Sequence, residues 1–187
     1  MTEDGPETGK LSSKRVFDGR VISLDVDTVR FPDGSTGELE MVRHPGASAV
    51  VPFLDDPRSG DPRVLLIRQY RYAADGYIYE IPAGRLDPGE NPEQCAQREL
   101  REETGYSAVE FIPLTTFYTT PGFTDERINL FIARDLKPGE SSRESDEILE
   151  LEPMALSAAL RMVVSGEIVD GKTMIGLLLA ARYLQSA

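Results

Sequence analysis

The stretch AGRLDPGENPEQCAQRELREETGY, residues 83–106, opens as a turn and closes as a helix. Asn91 is a good N-cap, Pro92 suits the first helical position, and Gln94 three residues on completes a capping box. Gly105 supplies the C-terminal stop. Between them Ala96, Leu100 and Thr104 fall on one stripe, the natural core face. Glu99 and Glu103 stand one turn apart, Glu102 flanks them, and Glu90 waits in the turn before the helix. Like charges at these spacings repel by a few tenths of a kcal/mol per pair. Arg98, four residues before Glu102, can hold one carboxylate in place. The crowding calls for a further counter-charge.

A glutamate-lined helix is in most proteins a solvated face. Carboxylates this dense with few cations nearby also form an oxygen-rich site for a hard divalent ion. Mg²⁺ takes one or two carboxylates and keeps waters and substrate phosphates. The rest of the composition agrees with that partner. The formal net charge is −12, which argues against a nucleic-acid binder needing a basic face. A cation between carboxylates and phosphate leaves small phosphate-bearing substrates open. His44 is the single histidine, so a histidine-based zinc site is not expected. Cys95 is the single cysteine, so no internal disulfide forms, as suits a reducing cytoplasm; we read Cys95 as a small packing residue and His44 as structural. MTEDGPETGKLSS lacks the apolar stretch of a secretory signal. MIGLLLAARYL is about half the roughly 20 residues a membrane span needs. A soluble, cytoplasmic protein with no membrane or nucleic-acid partner is expected.

Residues 1–13 are polar and rich in Gly, Pro, Ser and Glu, predicting a disordered tail ahead of one domain over 14–187. From Arg15 to Arg43 apolar and polar residues alternate around PDGS, a hairpin turning at Asp33-Gly34, within N-terminal strands over 14–45. ASAVVPFL (47–54), RVLLIRQY (63–70) and GYIYEIPAG (76–84) read as short strands, the first buried on both faces. FIPLTTFYTT, RINLFIAR and ILELEPM read as further strands. LSAALRMVVSG and GKTMIGLLLAARYLQ read as closing amphipathic helices. The order predicts an α/β fold with a mixed sheet between helices, preceded by an antiparallel N-terminal sheet.

Gly84, five residues, Glu90, seven residues, then Arg98-Glu99-Leu100-Arg101-Glu102-Glu103-Thr104-Gly105 is one complete pattern. It resembles the Nudix box, the signature of Nudix hydrolases. The resemblance implies the Nudix α/β/α sandwich and hydrolysis of nucleoside diphosphates linked to another moiety, cleaved at the pyrophosphate with Mg²⁺ or Mn²⁺, more than one ion per site. It implies Glu99, Glu103 and the Ala83 carbonyl as metal ligands and a metal-cluster role for Glu102. Glu90 would orient the helix or support the metal, and Arg98 would brace the carboxylates. Tyr106 departs from the pattern, which prefers an aliphatic residue there; that position faces packing.

Pro121, sixteen residues after Gly105 in TTPGFTDE, resembles the marker of ADP-ribose pyrophosphatases. Pro121-Gly122 also suits a plain type II turn. The subfamily resemblance implies hydrolysis of ADP-ribose to AMP and ribose 5-phosphate. It implies a glutamate on the acidic loop GESSRESDEILELE as general base: Glu144, with Asp146 and Glu147 as near alternatives. It also implies a homodimer that exchanges N-terminal strands. Arg71 in RQYR, backed by Arg43, is the candidate phosphate contact, and Phe17 or Tyr70 the candidate adenine stack. Two rivals stand beside this reading: a Nudix pyrophosphatase for another nucleotide sugar or NADH, and a non-catalytic ADP-ribose-sensing Nudix domain.

Overall fold

In the computed structural model residues 8–140 and 149–185 are described, and the chain divides into two compact units. The first comprises Met1–Gly46 and Tyr118–Arg127, the second Ala47–Phe117 and Ile128–Ala187. The candidate bases Glu144, Asp146 and Glu147 lie outside the described residues.

The first unit is a three-stranded antiparallel sheet, order β1-β2-β3, of β1 (Gly9–Asp18), β2 (Ser23–Arg30) and β3 (Thr36–Arg43). The β2–β3 hairpin turns where PDGS predicts it: Gly34 has φ +84°, and its N–H donates to the Phe31 carbonyl at 2.9 Å. One expectation needs correction. The strand begins at Gly9, inside the stretch read as a tail through residue 13, because ladder bonds to β2 hold residues too polar to build a core. Gly9 pairs with Arg30, and the Ser13 hydroxyl donates to Asp27 at 2.6 Å. The chain also turns between β1 and β2, where Gly19 N–H donates to the Ile22 carbonyl at 2.9 Å. The buried residues of β2 are Asp25 and Asp27. Arg15 and then Arg43 hold the Asp25 carboxyl below its ordinary range, and Asp27 is held down, against its burial, by Ser13 and Arg43.

The second unit is the helix–sheet–helix layer. Its mixed sheet has the order β7-β4-β9-β8, from β4 (Ala47–Pro52), β7 (Ala83–Arg85), β8 (Tyr106–Tyr118) and β9 (Arg127–Pro138). β4 runs parallel to β9 and antiparallel to β7. Every residue of β4 is buried, as its unbroken apolar run predicts. On one face Val50, Phe131 and Ala133 meet Ala96 and Leu100 of α1 (Pro92–Thr104). On the other, Ala49, Val51, Leu130 and Ile132 meet Leu156 and Ala159 of α2 (Leu156–Ser165) and Leu177 and Ala180 of α3 (Gly171–Leu184). A second, antiparallel sheet has the order β10-β5-β6, from β5 (Arg63–Arg71), β6 (Gly76–Glu80) and β10 (Leu149–Ala155). Tyr106 packs against the α1-side core, consistent with its departure from an aliphatic residue being tolerated. Among the described residues no helix is long and apolar enough to cross a membrane.

Candidate active site

The helix of the opening stretch is capped as its residues dictate. Asn91 Oδ1 accepts the Gln94 N–H at 2.9 Å, and Gln94 Oε1 accepts the Asn91 N–H at 3.1 Å. Gly105, φ 77°, closes α1 by donating its N–H to the Arg101 carbonyl. The Ser48 hydroxyl donates to the Pro92 carbonyl at 2.7 Å, tying the first turn of α1 to β4. Ala96, Leu100 and Thr104 are buried on the predicted stripe.

Glu99 and Glu103 are buried as well, only 7% and 2% exposed. Both turn toward the backbone of β7. Glu103 Oε2 accepts the Ala83 N–H at 3.1 Å. Glu99 lies over Gly84 so closely that a Cβ there would sit 1.8 Å from its Oε1 and 2.0 Å from its Cδ. Gly84 is therefore required for the space its missing side chain yields to the Glu99 carboxylate, since its φ lies outside the left-handed region.

Arg98 joins the remaining carboxylates. Its Nε and Nη2 donate to the two Glu90 oxygens at 2.9 Å each, and its Nη1 donates to Glu99 at 2.6 Å and Glu102 at 3.1 Å. Nη2 also donates to the Arg85 carbonyl at 2.9 Å, fixing the guanidinium against β7. The Glu90 carboxylate, then Glu99 and Glu102, push the Arg98 pKa far above its ordinary value, and Arg98 in turn holds Glu90 below the usual carboxylate range. Glu90 is thus locked by a bidentate ion pair and by the Asp87 N–H at 3.0 Å, the geometry of a helix-orienting group. Cys95 is buried; that burial, and next the Glu99 charge, pushes its thiol up to about 12, so it is inert.

Ala83, Glu90, Arg98, Glu99, Glu102 and Glu103 are therefore brought together. Arg98 pairs with Glu90, Glu99 and Glu102, Arg101 lies 3.9 Å from Glu102, and Glu103 accepts a backbone N–H. Among the described residues no group of three or more His, Cys, Asp or Glu side chains is arranged to hold a metal ion. The donor set is all oxygen, however, and fits a hard divalent cation that takes two carboxylates and completes its shell with waters and substrate oxygens.

Other sequence candidates have different surroundings. Arg71 grips the buried Glu80 through Nε at 2.7 Å and Nη2 at 2.8 Å and also feels the charge of Glu103. Arg43 donates to Asp25 at 3.0 Å, to Asp125 at 3.1 Å and to Asp27. Each arginine is engaged by carboxylates with which a phosphate would compete. Tyr70 is half exposed and meets Tyr77 edge-on at 5.6 Å; Phe17 is exposed on β1. Pro121 and Gly122 lie in a turn closed by Phe123 N–H to the Thr120 carbonyl at 3.2 Å. Gly122 is not among the positive-φ glycines, which excludes the type II turn. The first unit holds this loop by its own contacts: Val42 N–H donates to the Phe123 carbonyl at 2.8 Å, and Asp125 accepts the His44 N–H at 3.0 Å.

Glu80, Asp170, Lys172 and Thr173 were not singled out by the sequence reading. Lys172 Nζ lies 2.7 Å from Glu80, a contact across 92 residues that no local pattern announces.

Comparison with known proteins agrees with this geometry. The NUDIX domain model matches residues 42–170. The ADP-ribose pyrophosphatase of Bacillus subtilis (strain 168) is 40% identical over 181 residues, 96% of this chain and 93% of the relative. The methanol dehydrogenase activator of Bacillus methanolicus is 39% identical over 181 residues with the same two coverages, 96% and 93%. The crystal structure of an ADP compounds hydrolase superposes with a TM-score of 0.81 over 97% of this chain and 96% of that one, at 22% identity, which shows a shared fold. The chain belongs to the Nudix family, whose members hydrolyse pyrophosphate bonds and generally use divalent metal ions.

Proposed function

We propose that the chain hydrolyses the pyrophosphate of ADP-ribose, giving AMP and ribose 5-phosphate, with Mg²⁺ or Mn²⁺ and more than one ion per site. The observation that carries this reading is the buried pair Glu99 and Glu103 turned onto the Ala83–Gly84 backbone. Two carboxylates are set almost wholly away from water beside one strand's backbone, an all-oxygen arrangement that suits a hard divalent cation taking one or two carboxylates and completing its shell with waters and substrate oxygens. Similarity to the Bacillus subtilis enzyme over nearly the whole chain supports the substrate.

Glu99, Glu103 and the Ala83 carbonyl would hold the cation, and Glu102 would serve the same metal site. A cation bound there would supply the charge that neutralises the pyrophosphate and would lower the pKa of a bound water. Arg98 and Glu90 keep Glu99 and Glu102 aimed, and Glu144, or else Asp146 or Glu147, accepts the proton of the attacking water. Phe17 or Tyr70 stacks the adenine, and the Pro121-Gly122 turn shapes the substrate pocket. The hydrolase domain includes β1 from Gly9 onward, and its N-terminal strands make a homodimer by exchange. Every residue of β1 is exposed, Leu11, Val16 and Phe17 included, which supports a second copy covering it. A cytoplasmic location belongs to the same reading, and a single cysteine that can form no internal disulfide agrees with it.

The test is product analysis. ADP-ribose incubated with protein and Mg²⁺ should yield AMP and ribose 5-phosphate in equal amounts, with no turnover in EDTA. Undiminished turnover in EDTA, or release of adenine or ADP instead of AMP, refutes the reading.

A further inference from the structure

We propose that the N-terminus of α3, through Asp170, Lys172 and Thr173, is a positioning device for the metal-facing backbone at Ala83. This rests on the metal site just proposed and is independent of which nucleotide is cleaved.

The chain leaves one sheet at Glu80, the end of β6, and enters the other at Ala83, the start of β7. Ile81 and Pro82 make the crossing, outside either named strand. Four successive residues are anchored there, each differently. The Glu80 carboxylate, 2% exposed, accepts from Arg71 and from Lys172 Nζ at 2.7 Å. The Ile81 N–H donates to Thr173 Oγ1 at 2.8 Å, a bond buried on both sides. The Pro82 carbonyl accepts the Val50 N–H at 3.0 Å. The Ala83 N–H donates to Glu103 at 3.1 Å.

Two of the four anchors come from α3. Thr173 is fully buried, and its hydroxyl donates to Asp170 Oδ2 at 2.6 Å while accepting from Ile81. Its orientation is therefore set: Asp170 takes the hydroxyl proton, leaving a lone pair for the strand. Asp170 also caps α3 by accepting the Thr173 N–H at 3.0 Å, and Lys172 Nζ lies 3.1 Å from the same Asp170 oxygen. Burial works against ionisation of Glu80, yet Arg71 and Lys172 keep its carboxyl below the ordinary range. The four charged groups balance, two cations against two carboxylates, so the network is satisfied without the metal. It fixes the backbone two residues from the Ala83 carbonyl and three from Gly84. Networks that hold ligand-bearing groups typically shift metal affinity about 10–100-fold when broken.

The test is Mn²⁺ binding to the full chain without nucleotide, followed by electron paramagnetic resonance, alongside steady-state kinetics. Thr173→Val keeps the shape and removes both hydroxyl bonds; Thr173→Ser keeps the hydroxyl. Thr173→Val should weaken Mn²⁺ about tenfold or more, raise the metal concentration for half-maximal rate in step, and leave the nucleotide KM nearly unchanged at saturating metal. Thr173→Ser should restore wild-type binding. Should Thr173→Val fail to fold, Lys172→Met, at the edge of the network, should weaken Mn²⁺ several-fold. Wild-type Mn²⁺ affinity in the folded variants, with only a lowered Tm, overturns the proposal. Absence of Mn²⁺ binding in the wild-type protein overturns the metal site itself and this device with it.

Discussion

Gly84→Ala separates space at the site from stability of the fold. The added methyl would lie 1.8 Å from Glu99 Oε1, 2.0 Å from Cδ and 2.5 Å from Oε2, so it and the carboxylate cannot share that volume. The Gly84 backbone carries no left-handed φ, so alanine fits the main chain and gains about 0.4–1 kcal/mol by restricting the unfolded state. Against this, Glu99 is driven off its rotamer at about 0.5–1.5 kcal/mol. It also loses the 2.6 Å bond from Arg98, worth about 1.5–3 kcal/mol for a charged pair. Arg98 keeps Glu90 and Glu102, which places the loss at the low end. The net cost is about 1–2 kcal/mol, a Tm drop of about 3–6 °C for a chain of this size. Turnover should suffer far more: a misplacement of about 1 Å at the reacting centre costs on the order of 10²-fold. The assay is kcat at saturating Mg²⁺ beside a thermal melt. A kcat within about threefold of wild type would refute the placement of Glu99 over Gly84, and a Tm loss above about 15 °C would show a structural role instead.

Glu103→Gln should lower kcat by about 10²-fold or more, the scale of losing charge stabilisation at a reaction centre, with the fold retained; near-normal turnover sinks the metal role. Glu144→Gln should slow turnover while KM stays close to wild type, and the same result from Asp146→Asn or Glu147→Gln instead would reassign the base. Away from the site, Asp55 accepts from the Arg63 side chain and N–H, which hold its carboxyl down at about 2 against an ordinary 3.8. A depressed folded value stabilises above the unfolded value and fades as pH falls through the folded one. Asp55→Asn should therefore be less stable than wild type near neutral pH, and urea midpoints should converge as pH falls from 3.8 toward about 2; a gap constant across that range contradicts the pairing.

Local signals carried much of this fold. The capping box at Asn91 and Gln94, the stop at Gly105 and the both-sides-buried run of β4 each depend on neighbouring residues, so their chemistry is visible in order along the chain. The six site positions converge for the same reason, being spaced along one short strand, one turn and one helix. What the chain order hides is long-range. β1 is exposed throughout and its first half is mostly polar, pairing with β2 through ladder bonds, so composition reads residues 9–13 as tail. Arg71 and Arg43 look like surface cations available to phosphate until Glu80, Asp25, Asp27 and Asp125 are found beside them. The link from Thr173 to Ile81 spans 92 residues and has no periodic signature.

The most direct measurement is kcat/KM with Mg²⁺ across ADP-ribose, NADH, GDP-mannose and other nucleoside-diphosphate sugars, using one preparation and an EDTA control. Metal-dependent hydrolysis with ADP-ribose leading the series is the predicted result. A flat profile, a series led by NADH or another nucleotide sugar, or no hydrolysis of any of them would contradict it.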